Sequence, residues 1–306
     1  MSQQDILNPV AALEAPAAVR NQRRKKVRTH QEGQKASFWV YIGVFIAIAL
    51  FGIPFIWILL TSLASQKQFA EGALALLNLS SPQWDNFYKA VTLIDFGAYT
   101  WNTIFLSTLT AVLTTLSSAT VGFAFARLRA PGKNLLFTII LATMLIPSIA
   151  TLIPTYILFS RIGLVNTYWP WVLWGIAGTP YLIFLFRQFF SAIPIELEDA
   201  AIIDGAGWFR SYVFVFLPLA RPALLTSLLL SFTWTWGDYL APALLLNLNN
   251  TTLAVATAAG YLDPRGEGIV TVQAAGAVLY LLPVVVIFLF TQKYFMGSGL
   301  GSAVKG

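Results

Sequence analysis

The chain has no cysteine, a single histidine and very few charged residues, which make up 10% of its 306 positions. Without cysteine it can form no disulfide, no thiolate nucleophile and no cysteine-ligated metal site. The one histidine, His30, lies in a polar N-terminal segment, so a histidine-assisted nucleophile is excluded from the apolar body of the chain. We therefore expect no catalytic site, no cofactor and no metal.

A phosphate-binding loop is also missing. The nearest approach to one, Gly132-Lys133, is followed by Asn134 where Ser or Thr is required, and no glycine stands at the required upstream position. If ATP drives this protein, a separate subunit has to supply the ATPase site.

Hydrophobic residues, by contrast, make up 57% of the sequence, too large a share for a soluble domain of this length. They gather into runs of about 20 residues, the length that crosses the hydrocarbon core of a membrane. Uniformly apolar runs favour helices over barrel strands, whose residues would alternate. The sequence predicts an all-α membrane protein with six transmembrane helices, at about Phe38–Leu63, Thr103–Phe125, Leu135–Phe159, Trp169–Phe186, Leu224–Leu246 and Val272–Phe290.

The basic residues predict the orientation of these helices. With the N-terminus in the cytoplasm, the 19 Lys and Arg residues all fall on cytoplasmic segments except Lys67, Lys89, Arg161 and Arg265. Cytoplasmic loops of membrane proteins carry the excess of Lys and Arg, so both termini are expected in the cytoplasm. The cluster Arg23-Arg24-Lys25-Lys26 is then a feature of membrane topology, and nucleic acid is not expected as a partner.

The predicted organisation has three parts. Residues 1–36 are polar and rich in Ala and Gln, and we expect them to form a disordered basic tail in the cytoplasm. Residues 37–292 form the transmembrane domain, which includes a cytoplasmic loop at 187–221. Residues 293–306 form a cytoplasmic C-terminal tail.

The loop at 187–221 carries the signals of a short helix. Pro194 suits the first turn of a helix and Gly205 suits its C-terminal cap, so a helix is predicted over Ile195–Asp204. Ala200 and Ala201 would give this helix a side with little bulk, where another protein can approach the backbone. Negative charge near the N-terminal end of the helix dipole comes from Glu196, Glu198 and Asp199.

The same loop resembles a known signature. Asp199-Ala200-Ala201, then Gly205, then Val215-x-Leu217-Pro218 are similar to E-A-A-x-x-x-G-x9-I-x-L-P of the permease subunits of ATP-binding-cassette importers. Asp199 in place of Glu and Val215 in place of Ile are conservative departures. The surrounding residues resemble the sugar-importing branch, and segments such as Gly122–Arg127 are similar to the shorter, six-helix permease of maltose-type importers.

This resemblance implies a type I importer permease fold with a cytoplasmic coupling helix, in the inner membrane of a bacterium or archaeon. The implied partners are a second homologous permease, two ATPase subunits and an extracellular binding protein that delivers a sugar or polyol. The residues implied in coupling to the ATPase are Glu198, Asp199, Ala200, Ala201, Asp204, Gly205, Val215, Leu217 and Pro218.

A second group of interest surrounds Asp238, at the outer half of the fifth predicted span. Aromatic rings and a carboxylate suit a sugar, because rings stack on C–H faces and carboxylates accept from hydroxyls. The alternative, which we favour, is that Asp238 bonds to a freed backbone donor or to the partner permease. The candidate residues of the substrate pathway are Trp234, Trp236, Asp238 and Tyr239.

The C-terminal tail has two interpretations. Its glycines and small residues are typical of a flexible end. Its last residues also resemble the tail that the maltose-type permease places between its ATPase subunits. That resemblance implies ATPase contacts for Leu300, Val304 and Lys305.

Two other classes remain as alternatives, an ion-coupled secondary transporter and a channel-like membrane protein. A secondary transporter needs ionisable groups at membrane depth, and in this sequence only Asp238 qualifies. A channel would need no loop for docking an ATPase.

Overall fold

The computed structural model describes residues 38–78 and 80–297. In this part of the chain no β-strand forms, although Leu262 and Gly268 make an isolated antiparallel bridge. The helices are α1 (Phe38–Leu63), α2 (Gln66–Glu71), α3 (Ala73–Leu76), α4 (Asp85–Thr92), α5 (Phe96–Arg127), α6 (Lys133–Thr143), α7 (Ser148–Arg161), α8 (Trp169–Ala177), α9 (Pro180–Ser191), α10 (Ile195–Ile203), α11 (Trp208–Ser211), a π-helical turn (Tyr212–Phe216), α12 (Leu217–Leu219), α13 (Arg221–Trp236), α14 (Leu240–Leu245), α15 (Leu253–Ala259) and α16 (Val270–Gly297).

Internal contacts divide the chain into two units, Met1–Ile56 and Trp57–Gly306, and α1 runs across the division. In the first unit the described residues, 38–56, are helical throughout. All of the packing described below lies within the second unit.

Within the described residues, four stretches of helix are long and apolar enough to cross a membrane. They are Trp39–Leu63, Phe96–Arg127, Trp169–Ser191 and Val270–Gln292. Two further pairs meet the same test together but are bent between their members, α6 with α7 and Trp208–Leu219 with α13. If each bent pair is one span, the count is the six that the sequence predicts.

The third predicted span, Leu135–Phe159, differs from expectation because it is not one continuous helix. It contains most of α6 and α7, whose axes meet at 97°. Pro147 lies directly before α7. Proline has no N–H to donate and disfavours helical backbone at the residue before it, so the helix stops and restarts here.

The fifth predicted span, Leu224–Leu246, also differs from expectation. Helix α13 ends at Trp236, and α14 follows as a separate helix after Gly237. The apolar run continues across this break, so hydrophobicity alone did not reveal it.

Helix α5 lies at the centre of the second unit and packs against α8, α9 and α13. Its buried side is built largely from small side chains. A Cβ placed on Gly122 would lie 2.6 Å from the Cβ of Phe186, so α5 and α9 approach closely there. The hydroxyls of Thr115 and Ser227 form a 2.9 Å hydrogen bond between α5 and α13. Close contacts at small residues and hydroxyl bonds between helices are how membrane helices associate.

The 32 residues of α5 span about 48 Å at the usual rise of an α-helix. We call its two ends the Phe96 end and the Arg127 end. The loop that contains α10 packs at the Arg127 end, and the segment that contains Leu248 and Thr251 packs at the Phe96 end. The candidate residues of the α10 loop therefore lie at the Arg127 end of α5.

Candidate functional site

The predicted loop helix is present as α10, which ends one residue earlier than expected. Pro194 precedes its first residue, with φ −55° and ψ 142°, and its first turn carries acidic side chains. Gly205 adopts φ +76°, the left-handed conformation that favours glycine. The N–H of Ala206 donates to the carbonyl of Ala201 at 2.9 Å across this turn. The local capping signals therefore set the limits of α10.

The two alanines of the signature point in different directions. Ala201 is buried within the chain, 7% exposed, whereas Ala200 is exposed. Successive residues of a helix are rotated by about 100°, which lets Ala201 face inward while Ala200 faces outward. The expectation of a single open side at both alanines is therefore wrong. The small-residue surface that remains open on α10 is at Ala200, with exposed Asp199, Asp204 and Gly205 near it in sequence.

Glu198 faces the same way as Ala201, three residues later, and is buried. Its Oε2 accepts a hydrogen bond from Nη1 of Arg127 at 3.2 Å, and the side chains of Arg127 and Glu198 are 8% and 11% exposed. Glu198 was expected to belong to the ATPase-coupling surface. The structure instead directs its carboxylate into the chain, toward the end of α5.

Arg127 makes further contacts at the same place. Its Nε and Nη2 donate to the carbonyl of Phe190 at 3.1 and 2.7 Å, and Nη2 also donates to the carbonyl of Ile193. Its guanidinium carbon lies 5.0 Å from the ring centre of Phe216. One side chain thus joins the end of α5 to the last turn of α9, to the connection before α10, to α10 and to the π-helical turn.

An aromatic cluster lies beside this arginine. The ring of Phe123 lies 4.8 Å from that of Tyr212 and 5.1 Å from that of Phe216, and Phe190 packs against all three. The Tyr212 hydroxyl and the Thr120 hydroxyl share a 3.0 Å hydrogen bond. These contacts attach the π-helical turn to α5.

The remaining signature residues follow from this attachment. Val215 and Leu217 are half-buried and pack against the aromatic cluster, whereas Pro218 is exposed. In this chain Val215 and Leu217 support the loop from inside, and of these three residues Pro218 is the one most open to a partner.

The loop also exposes large apolar side chains. Ile203 is 85% exposed at the end of α10, and Phe209 is 79% exposed in α11. Exposed apolar side chains grouped in a polar loop are typical of a surface that a protein partner or a membrane covers. We call the exposed residues Asp199, Ala200, Ile203, Asp204, Gly205 and Phe209 the coupling surface.

The second candidate group, around Asp238, does not form a common site. Trp236 is 2% exposed and stacks between Phe232 and Tyr280, at 5.6 and 5.7 Å. Asp238 accepts a hydrogen bond from the backbone N–H of Ala241 at 3.2 Å, in the first turn of α14. This geometry supports the alternative in which Asp238 binds a freed backbone donor.

The other two members of that group are more open. Trp234 is 47% exposed and meets Tyr181 edge to face at 5.9 Å, and Tyr239 is 43% exposed. Neither lies in the stack that holds Trp236. Across 38–78 and 80–297, no group of three His, Asp or Glu side chains is placed to hold a metal ion.

Comparison with known proteins agrees with this architecture. The model of the family described as binding-protein-dependent transport system inner membrane component matches residues 118–296, more than half of the chain. The chain belongs to this family. It is therefore a multi-pass membrane permease, and the predicted type of importer subunit is confirmed.

Curated relatives match over nearly the whole permease. The lactose transport system permease protein LacG of Rhizobium radiobacter is 29% identical over 265 residues, 86% of this chain and 94% of that protein. The arabinooligosaccharides transport system permease protein AraQ of Halalkalibacterium halodurans is 31% identical, covering 88% and 96%. The trehalose transport system permease protein SugB of Mycobacterium tuberculosis is 30% identical, covering 89% and 99%.

A solved structure shows the same fold. It is a crystal structure of a bacterial ABC transporter involved in the import of the acidic polysaccharide alginate, and one of its chains has a TM-score of 0.70 to this permease. The match covers 92% of this permease and 100% of that chain, at 24% identity. The predicted importer permease fold is thereby confirmed.

Arg127 is the residue at this site to which sequence reasoning gave no role. The sequence placed it among the cytoplasmic basic residues and at the end of the segment Gly122–Arg127 that resembles other permeases. Its carboxylate partner is 71 positions away, so no local spacing connects the two. An arginine directly after an apolar run, followed later by an acidic loop, was the one available signal.

The predictions for the two termini concern residues that the structure does not describe. The N-terminal tail, 1–36, and the tail residues Leu300, Val304 and Lys305 lie outside the part of this permease that the structure describes. They remain predictions.

Proposed function

We propose that this chain is one of two permease subunits that together form the translocation pathway of an ATP-driven sugar importer. The names of its curated relatives support a sugar as the solute, since they include transporters of lactose, arabinooligosaccharides and trehalose. A binding protein delivers the sugar from outside, and two ATPase subunits bind from the cytoplasm, one of them on this chain.

The observation that carries the proposal is the coupling surface on α10 and α11. It combines a position without bulk at Ala200, acidic side chains and the exposed apolar Ile203 and Phe209. A groove on an ATPase can approach the helix backbone at Ala200 and cover the apolar side chains. The surface stands on a short helix capped at Gly205 and bonded to Arg127, so a push on it moves an ordered element.

Copurification tests the docking step. In Ala200→Arg, a large charged side chain would hold the ATPase away, so copurified ATPase and transport should both fall, with membrane insertion unchanged. Ala200 suits this test better than Ala201, which is buried. Ala73→Arg is the matched control for ATPase recovery alone, because Ala73 is an exposed helical alanine in α3, in a loop predicted on the outer face. Equal ATPase recovery from both variants would contradict the docking assignment.

The orientation is tested in the same complex by cysteine labelling, in a chain without background thiols. We propose that the segments at 65–100 and 247–270 face outside and contact the binding protein, and that both termini lie in the cytoplasm. Ser81→Cys and Asn249→Cys, both at exposed positions, should react with an impermeant maleimide in intact cells. Ala130→Cys, at an exposed position in the loop after α5 and outside the coupling surface, should react only after lysis. The reverse pattern would overturn the topology.

The solute class is tested by transport itself. The permease is reconstituted in liposomes with its second permease, its ATPase and its binding protein. Uptake of labelled lactose, trehalose and maltotetraose is measured with and without ATP. We expect ATP-dependent uptake of at least one of these labelled sugars. An excess of an unlabelled oligosaccharide should reduce that uptake. ATP-dependent uptake of amino acids and not of carbohydrates would refute the sugar assignment.

A further inference from the structure

Helix α10 has one strong polar connection to the transmembrane helices. Among the described residues, Glu198 is the α10 residue whose side chain forms a hydrogen bond or ion pair with another helix, and its partner is Arg127. The other acidic side chains of α10, Glu196 and Asp199, are exposed. Any displacement of α10 therefore acts directly on the end of α5.

The connection is stiff because Arg127 is held on several sides. Besides Glu198, its guanidinium binds the carbonyl oxygens of Phe190 and Ile193, at the C-terminal end of α9 and just before α10. Carbonyls at a helix C-terminus lack partners within the helix and favour a cation. The planar guanidinium spreads its five donors over three nitrogens that reach these acceptors from different sides, whereas the ammonium of lysine donates from a single atom.

Helix α5 in turn packs closely against several other helices of the second unit. It runs unbroken from Phe96 to Arg127 and packs against α8, α9 and α13. At Gly122, close to the Arg127 end, α5 and α9 are near enough that an added Cβ would lie 3.0 Å from the backbone nitrogen of Arg187. A displacement at the Arg127 end cannot be absorbed there by loose packing.

We propose that Arg127 is a positioning residue for transport, through which displacement of α10 by the ATPase reaches the central helix α5. This inference rests on the proposed docking of an ATPase on α10. It adds that the ion pair to Glu198 persists during the displacement. Breaking it would leave the carboxylate of Glu198 buried without its partner, which is costly.

The experiment compares conservative variants of the pair with matched exposed residues. Arg127→Lys keeps the charge but loses the forked geometry, and Glu198→Gln keeps the shape but loses the charge. Arg129→Lys and Glu196→Gln make the same changes at exposed positions close by in sequence. Each variant is assembled with its partner subunits and reconstituted. The readouts are the copurified ATPase, the rate of ATP hydrolysis and the labelled trehalose or lactose transported per ATP.

A second readout follows α5 without any sugar. Spin labels are placed at Trp101→Cys on α5 and Leu282→Cys on α16, both exposed positions. Their distance distribution is measured in the assembled complex with and without a non-hydrolysable ATP analogue. In the otherwise unmutated chain, the analogue should shift the distribution.

The expected result is that Arg127→Lys and Glu198→Gln retain the ATPase but transport about tenfold less sugar per ATP, a typical size for coupling between sites. Both should also lose the distance shift. The exposed-residue variants should match the unmutated chain in every readout.

Three results would overturn the inference. One is an unchanged transport ratio in both pair variants. Another is that Arg127→Lys and Glu198→Gln lose copurified ATPase to the same extent as they lose transport. The ion pair would then only maintain the shape of the coupling surface. The third is an unmutated chain whose α5 distance does not respond to the analogue. Failure of the unmutated chain to copurify with any ATPase would instead refute the proposed function.

Discussion

At the Arg127 end of α5, one guanidinium binds a carboxylate and two backbone carbonyls, whereas at the Phe96 end neutral side chains bond one by one to separate carbonyls. Tyr99 donates to the carbonyl of Leu248 at 3.0 Å, and Asn102 donates to that of Thr251 at 3.1 Å. The Arg127 end carries the coupling surface. The Phe96 end carries the segments proposed to face the binding protein.

The Phe96 end continues this pattern away from α5. Tyr261 donates to the carbonyl of Ala90 at 2.9 Å, and Asn86 donates to the carbonyls of Ser62 and Ala64 at 2.9 Å each. Its ion pairs, Lys67–Glu71 and Lys89–Asp85, are exposed pairs one helical turn apart. Such pairs contribute little to stability.

The two ends of α5 show that contacts between helices and loops can be stabilised by one residue with several bonds or by many residues with separate bonds. A concentrated connection moves as a unit, which suits an end that we propose is displaced by an ATPase. Distributed bonds to backbone carbonyls hold several loop segments independently, so the loss of one leaves the others in place. Substitutions should therefore cost more at the Arg127 end.

The largest effect is expected for Arg127→Ala. It leaves Glu198 buried without a partner, a loss of about 3–5 kcal/mol of stability. The measurement is the thermal unfolding midpoint of the purified permease in detergent, with Arg129→Ala as the exposed control. Adding Glu198→Gln should recover part of the loss, because no unpaired charge remains. Equal midpoints for Arg127→Ala and Arg129→Ala would show that the stability of this end does not depend on Arg127.

Gly122→Ala tests the packing beside that residue. Its new methyl group would lie 2.6 Å from the Cβ of Phe186, so α5 and α9 must separate, at a cost of about 1–3 kcal/mol. Gly97→Ala is the control, because the nearest atom to its added Cβ is 3.9 Å away, at Asp95. Unfolding midpoints of the two variants are compared. Gly97 lies at the Phe96 end of α5 and Gly122 near the Arg127 end. If the unfolding midpoint of Gly97→Ala fell as far as that of Gly122→Ala, the two ends would not differ in how closely they are packed.

Gly205→Ala tests the cap of α10. An L-residue at φ +76° costs about 1–2 kcal/mol, so the end of the helix should open more often. Hydrogen–deuterium exchange over residues 195–205 should become faster, with little change elsewhere. Gly207→Ala is the control, because Gly207 has φ −71° and any residue adopts that value. Identical exchange in both variants would mean that the cap does not hold α10.

The smallest effect is expected at the distributed end. Tyr261→Phe removes one hydroxyl bond, worth about 0.5–1.5 kcal/mol. Burial raises the pKa of Tyr261, so its hydroxyl keeps the proton that it donates. The unfolding midpoint should fall slightly relative to Tyr88→Phe, at an exposed tyrosine. A loss as large as that of Arg127→Ala would remove the contrast between the ends.

The limits of α10 could be read from the sequence because capping is local. Pro194 and Gly205 act through the backbone of their own neighbours, and the structure has the helix between them. The inward side of α10 could not be read in this way. Glu198 and Ala201 face inward because Arg127, 71 positions before Glu198, is brought there by the packing of α5 on α9.

The aromatic residues show the same division. Trp234 and Trp236 are two positions apart in one apolar run, and both were predicted from the sequence as candidates for the substrate pathway. Trp236 is buried because Phe232 and Tyr280 stack on it, and Tyr280 comes from α16. Trp234 stays half-exposed beside Tyr181. Which of the two is open depends on helices that are distant in sequence.

A helical membrane protein, and the limits of its loop helix, can be predicted from the sequence, because apolar length and capping residues act within a few turns. The 97° bend between α6 and α7, the inward side of α10 and the several bonds of Arg127 appear only when the helices are packed together. These features depend on which helices meet, and contacts between distant segments leave no period or spacing in the sequence.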